Sequence, residues 1–526
     1  MVDRYFQIED RQTNVKTKIE AGLTTFLTMA DIILVTFAIL AFFFAGCNSI
    51  PKERGVEQKD YFSTVQAYAD TLLEHGRDRY GKVKSPLIAA ALDRKRYRLF
   101  KGGHLRRIQD IPRSEWDIRT NDRTLTGANP MHDENLYQVL YALTQITGDK
   151  RYAQEADKTL KWFFENCQSE GTGLLAWGEH IGWDFNTEKN TSDTHEYFRP
   201  WVLWERSFKL APKACRKFAI GVWEHQIYDH QTGVFSRHAG YASHDPGKDF
   251  EFPRHGGFYI ATWAQAYRYS KDRIFLRAIE TLLNSFEGRR SRISGGLPAE
   301  NDARYKGKML WPDSNLSLAI DLWDSAEFVP EELAAKMRES ASKTDRVFLS
   351  IKHDLSANGQ GFVVATHTDT LKVSDVQYHR RSYTLPWTSG YSQNTDARVA
   401  NLCMLRYRQV GLEGYRNLIL DALQRYMTTE PDIDYPVHPG ALGDVIFLML
   451  AGHEITGQQR YLDRADHFAH KAIKLFLSDS PLPAASSKHN HYEAITRGDT
   501  LMMALLKLWA VKSRSAGELR LIYNDR

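Results

Sequence analysis

Three short polar clusters hold most of the side chains that could do chemistry in this 526-residue chain. Residues 177–184 bring together Trp177, Glu179, His180, Trp183 and Asp184, and residues 193–201 bring Asp193, His195, Glu196 and Arg199. Residues 251–258 add Glu251, Arg254 and His255 ahead of a glycine pair. Aromatic faces beside carboxylates and cations are what a sugar site needs. The sugar ring stacks on an indole, its hydroxyls take hydrogen bonds, and a carboxylate moves protons. The clusters are therefore expected to form one rim of a carbohydrate-active cleft, with Trp177, His180, Trp183, His195 and Arg254 against substrate.

Within that rim Glu196 and Glu179 are the first candidates for an acid and base pair. A glycosidase needs one protonated carboxyl for the leaving oxygen and a second carboxylate across the scissile bond. The plainer alternatives are a first-turn helix acid for Glu196 and a loop ion pair for Glu179. Asp313, in the run Trp311-Pro312-Asp313-Ser314-Asn315, is a third catalytic candidate, set against a capping role. Trp311 is either a stacking platform or core packing. His255 could shuttle a proton, and Arg254 could fork onto a uronate carboxylate. Arg381, Tyr383, Trp387 and Tyr391 are expected to form a second rim, because arginines beside tyrosines suit an anionic sugar. They equally suit a solvated loop. His489, His491 and Glu493 make only a weak metal pattern, so no metal and no cofactor is expected. A Gly-rich phosphate loop, a nucleophile elbow and an HExxH motif are absent from the sequence.

The elements that must position these residues read as helices. Residues 136–146 have helical spacing, 147–152 make a turn, and 153–166 are helical again. The same plan returns over residues 259–286, 397–427 and 444–477. Residues 201–218, 316–324, 331–343 and 500–511 read as further helices, while strand signals are confined to 233–236 and 361–365. Six or seven such hairpins make a mainly α chain. Closed into a ring they give an (α/α)6 toroid, whose loops at one end converge on a central cavity; left open they give a solenoid. The unequal, acid-rich and aromatic loops favour the ring.

Hydrophobic content of 42% and charged content of 25% are globular, and a net charge of +4 argues against nucleic acid as the main partner. A locally basic groove for an acidic sugar remains compatible with that total. Cysteines at 47, 167, 215 and 403 form no CxxC pair, and buried thiols are expected for the last three. Residues 1–50 run from a mixed-charge start (Arg4, Arg11, Lys16, Lys18) into an apolar stretch ending Phe44-Ala45-Gly46-Cys47, which resembles a lipoprotein cleavage box. A lipid or helix anchor to the membrane, and export to the cell envelope including the periplasm, are the expectations. The division expected is 1–50 as anchor, 51–130 as an extension packing on the toroid, and 131–515 as the catalytic toroid.

The hairpin runs ALTQITGDKRYAQEADKTLKWF (142–163) and LAGHEITGQQRYLDRADHFAHKAI (450–473) resemble the six-hairpin glycosidase superfamily. Within it the chain is read as similar to the β-glucuronidase-like glycoside hydrolase family 154. The resemblance spans residues 130–512 and implies catalysis at the loop end that precedes the inner helices, where the three clusters fall. It also implies a glycoside hydrolase acting on a uronic acid-containing glycan. A polysaccharide lyase is the first alternative, neutralising the uronate with Arg or His and taking the C5 proton with His or Tyr. A non-catalytic surface glycan-binding protein is the second.

Overall fold

The computed structural model describes residues 60–244, 252–299, 307–356, 358–374, 381–387, 394–514 and 519–526. The expected N-terminal anchor with Cys47, and the candidates Glu251 and Tyr391, lie outside the described residues.

Sixteen α-helices are found among the described residues. The first is α1 (Tyr61–His75), followed by the short α2 (Gly102–Gln109) and α3 (Arg113–Trp116). Then come α4 (Glu134–Thr147), α5 (Arg151–Asn166), α6 (Trp204–Leu210), α7 (Pro212–Gln226), α8 (Pro253–Ser270) and α9 (Arg273–Arg289). The series continues with α10 (Pro312–Ser325), α11 (Glu331–Ser350), α12 (Asp396–Val410), α13 (Glu413–Thr428), α14 (Pro439–Thr456), α15 (Gln459–Phe476) and α16 (Gly498–Lys512). The hairpin turns have a local cause. Gly148, Gly411 and Gly457 end α4, α12 and α14 with φ of 75°, 66° and 68°, the left-handed conformation that closes a helix and that glycine adopts without a Cβ clash. Proline opens α7, α8, α10 and α14, where its missing N–H costs nothing. Pro212 also explains why the single helix expected over 201–218 is two: α6 stops at Leu210 and α7 starts afresh.

Six long hairpins pair as α4 with α5, α8 with α9, α10 with α11, α12 with α13, α14 with α15, and α16 with α1. The inner members touch in the series α8, α10, α12, α14, α16, α4, and the short α6–α7 pair fills the remaining place between α5 and α8. This is the expected mainly α toroid of six hairpins, with one abbreviated pair added. Inner and outer helices differ as the ring requires. The inner α14 buries residues on every side, including Leu442, Val445, Leu448 and Met449, whereas the outer α5 buries one stripe of Tyr152, Ala156, Leu160 and Phe163.

Among the described residues eleven short strands decorate the loops, and two of them matter for the site. The strand β5 (Thr194–Glu196) pairs antiparallel with β8 (His238–Gly240), with Glu196 opposite His238. Cys167, Cys215 and Cys403 are buried free thiols, as expected. No helix among the described residues is long and apolar enough to cross a membrane.

Candidate functional site

Glu196 is fully buried and forms the centre of a polar cluster. Its Oε1 accepts from Arg237 Nη1 at 2.7 Å and lies 3.2 Å from His255 Nε2. Its Oε2 lies 2.8 Å from His238 Nε2 and 3.1 Å from His180 Nε2. Burial alone would raise the pKa of this carboxyl. The Arg237 guanidinium and the three imidazoles outweigh that and hold it well below the usual carboxylate range. Glu179 sits beside it. Burial and the neighbouring Glu196 push its pKa up to about 8 against the pull of Arg119. Arg119 Nη2 reaches Glu179 Oε1 at 2.9 Å, and His180 Nε2 lies 3.4 Å from Glu179 Oε2. Asp122 holds the other ring nitrogen of His180 at 2.9 Å.

The backbone that brings these groups together is tightly specified. The β5–β8 register sets His238 against Glu196. Gly178 has φ of 134°, and a Cβ there would lie 2.2 Å from the carbonyl oxygen of Glu196, so the two clusters touch only through glycine. The Asn129 amide clamps the same turn by donating to Gly178 O at 2.8 Å and Ile181 O at 3.2 Å. His255 lies in the first turn of α8. The glycines after it serve helix packing rather than ligand approach: a Cβ at Gly256 would lie 2.4 Å from Phe286, and one at Gly257 would lie 2.7 Å from Asp321 Oδ2.

A cavity of about 330 Å³ opens in front of Glu179 and Arg237. Five arginines reach it, Arg113, Arg119, Arg237, Arg254 and Arg381, against three acids, Asp117, Glu179 and Asp313. Its apolar surface includes Phe252, Trp311 and Tyr383. Phe252 stacks under two of the cations, with Arg237 and Arg254 at 5.4 and 5.6 Å from its ring. Asp313, in the first turn of α10, is hydrogen-bonded by the Asn394 side-chain amide.

Of the residues singled out in the sequence, Glu179, Arg254, Trp311, Asp313, Arg381 and Tyr383 line this cavity, while Glu196, His180 and His255 form the cluster behind it. The others stand elsewhere. Trp177 is fully buried among Phe163, Tyr197, Trp201 and Phe218. His195 is fully buried on the far face of β5, where burial lowers its pKa to about 3. Trp183 packs edge-on to Trp162, and Trp387 packs on Tyr426 and Phe468. Arg119, Asp122, Arg237 and His238 were not anticipated. The signal available for the last two was an Arg-His pair just after the expected 233–236 strand.

His180, Glu196 and His238 each offer one ligand atom, all within 4.8 Å of one another, and form the metal-competent group among the described residues. Two imidazole nitrogens and one carboxylate oxygen suit a divalent transition ion. The weak pattern at His489, His491 and Glu493 has another explanation: Arg123 forks onto Glu493 at 2.8 Å from both nitrogens, and His491 hydrogen-bonds the same carboxylate.

Fold and site together define a helical toroid with a basic, aromatic cavity backed by a His/Glu centre. Residues 105–287, which carry that centre, match the family model described as periplasmic pectate lyase, a carbohydrate-active enzyme family. A curated relative is the pectate disaccharide-lyase of Dickeya dadantii (strain 3937), 24% identical over 143 residues. The match covers 26% of this chain and only 26% of that enzyme. Solved structures similar to the chain include a D-mannose isomerase, with a TM-score of 0.46 and 8% identity over 88% of this chain and 100% of that one. Another is the unsaturated glucuronyl hydrolase of Bacillus sp. GL1, with a TM-score of 0.43 and 12% identity over 88% and 98%.

Proposed function

We propose that this chain is an exported carbohydrate-active enzyme that cleaves a uronic acid-containing polysaccharide by β-elimination. The observation that carries the reading is that Glu196, fully buried and paired to Arg237 at 2.7 Å, stands behind the cavity and not on its wall. The two carboxyls of a glycosidase stand about 5–5.5 Å apart when retaining, or about 6.5–9.5 Å apart when inverting, with sugar or water between. Here the imidazole of His180 stands between the two, its Nε2 3.4 Å from Glu179 Oε2 and 3.1 Å from Glu196 Oε2, and Glu196 is an ion-paired anion rather than an acid. The hydrolase expected from the sequence therefore ranks second, with Glu179 and Asp313 on the cavity wall as its carboxyls.

The cavity supplies what elimination needs. Arg237 and Arg254 can neutralise the uronate carboxylate, which makes the C5 proton more acidic. Tyr383 on the cavity wall is the candidate to take that proton, as the phenolate left when its own hydroxyl proton has passed to solvent. The C4–O bond then breaks as the C4=C5 double bond forms, and the leaving oxygen takes a proton. Glu179 still carries one near neutral pH and lines the same cavity as Arg237. A divalent ion held by His180, Glu196 and His238 would add its charge to that of the arginines at the uronate carboxylate. The periplasmic family description of the matched stretch supports export, and the substrate proposed is an anionic oligo- or polysaccharide.

The test is digestion of a panel of uronate glycans, followed through ultraviolet absorbance of unsaturated uronate and through reducing ends. Both signals should rise together. Reducing ends without the ultraviolet signal would replace elimination with hydrolysis.

A further inference from the structure

Residues 519–526 form neither helix nor strand, yet Tyr523, Asn524, Asp525 and Arg526 are all buried. This segment lies inside the ring and touches five inner helices. Ile522 exchanges two hydrogen bonds with the Gln138 side chain of α4, at 2.8 and 2.9 Å. Tyr523 donates to Asp444 of α14 at 2.8 Å. Asp525 accepts from Thr500 of α16 at 2.6 Å, and its carbonyl accepts from Arg398 of α12 at 3.1 Å. Arg526 donates to Ser317 O and Asp321 of α10 at 3.0 and 2.7 Å.

Two of these contacts lead to the site. Asp525 Oδ1 lies 3.2 Å from Arg199 Nη2, three residues beyond Glu196. Asn524 donates to Glu134 at 2.5 Å, and the other oxygen of Glu134 accepts from Val202 N at 2.5 Å. On the opposite side Arg526 grips Asp321, whose carboxylate packs against Gly257, two residues past His255. We propose that residues 519–526 are an internal strut that positions the site: Asn524 and Asp525 fix the 199–202 stretch behind Glu196, and Arg526 fixes α8 behind His255.

The charge arrangement supports this role. Burial would raise the Asp525 pKa, but Arg497, Arg199 and Arg398 outweigh it and hold it at about 2. Arg199 faces that carboxylate at 3.2 Å, while Arg497 shares it at 3.3 Å with a closer partner, Asp444, at 2.7 Å; removing one partner of such a set leaves uncompensated buried charge. The residues that these hydrogen bonds and ion pairs reach do not line the cavity, so the strut is a positioning device and not catalytic machinery.

The test compares hydrogen exchange in the full chain and in a chain stopped after Glu518, with and without the synthetic peptide of residues 519–526. Stopping the chain should raise exchange at 194–204 and 253–260 above any rise in the outer helix α11, and the peptide should restore protection. Unchanged protection at 194–204 overturns the strut. If the shortened chain does not fold, Asn524→Ala and Asp525→Asn in the full chain decide. A misplacement of about 1 Å costs on the order of a hundredfold in rate, so kcat should fall by about that factor while KM stays near its original value. Unchanged kcat in both variants overturns the proposal. Hydrogen exchange needs no substrate, so a wild-type chain inactive on uronates would sink the lyase reading while exchange still judges the strut.

Discussion

Replacing Glu196 with glutamine keeps the shape of the side chain and withdraws the charge that Arg237 and three imidazoles face. Leaving those donors around a neutral amide costs about 3–5 kcal/mol for a buried pair. A divalent ion would also lose its only anionic ligand in the group of three. Glu196→Gln is expected to weaken Mn²⁺ or Zn²⁺ binding by at least about 100-fold in calorimetric titration, with a parallel loss of cleavage. Wild-type ion affinity in that variant would remove the metal reading. The sequence made half of this centre legible. Glu179, His180, Glu196, Arg254 and His255 stand in visible polar clusters. Arg237 and His238 do not, because they join Glu196 through the pairing of two three-residue strands 42 positions apart. Nothing in the local spacing encodes that register. Trp177 and His195 shared the composition of the clusters but point into the core; for His195, alternation along so short a strand is too brief to read.

Single turns and helix starts carry the next set of consequences. Gly178 holds a φ that L side chains rarely adopt, and an added methyl would collide with Glu196 O. Gly178→Ala should destabilise the chain by on the order of 2 kcal/mol and displace Glu196. Thermal melting and cleavage should therefore both fall, and an unchanged melting temperature would refute the strain. At the start of α4, burial raises Glu134 to about 8 despite the bonds from Val202 and Asn524, and burial raises Asp499 of α16 to about 7. Both folded values lie above the ordinary ones of 4.5 and 3.8, so the folded chain keeps protons that the unfolded chain releases. That stabilisation is complete below the unfolded values and is lost as pH rises through about 7 to 8. Melting temperature should fall from about pH 5 to about pH 8, at roughly 1.4 kcal/mol per pH unit for each proton held. Glu134→Gln should flatten the slope; an equally steep slope in that variant would assign the titration elsewhere. The elements themselves were largely legible, because the glycine turns and 3.6-residue periodicity are local signals. The break at Pro212 was equally local, and proline at a helix start explains it.

At the scale of the whole molecule, closure of the ring could be inferred from the recurrence of hairpins, but the occupant of its centre could not. Residues 519–526 have no periodicity, and their partners lie up to 390 residues away, as Asn524 and Glu134 do. Closure also concentrates charge. A chain with a net charge of only +4 turns five arginines and three acids toward one cavity, an asymmetry that the total conceals. Such a site draws a polyanion by its field, and salt screens that field over about 8–10 Å at physiological strength. For a long uronate chain kcat/KM should fall by about tenfold between roughly 50 and 500 mM NaCl, mostly through KM. A short substrate with one carboxylate should fall less, because fewer of its charges lie within reach of the arginines. Arg381 is exposed on the cavity wall, so Arg381→Ala should reduce the salt dependence for the long chain while leaving the short substrate little changed. Equal salt dependence for both lengths would mean that the arginines act only on the one uronate at the reacting bond.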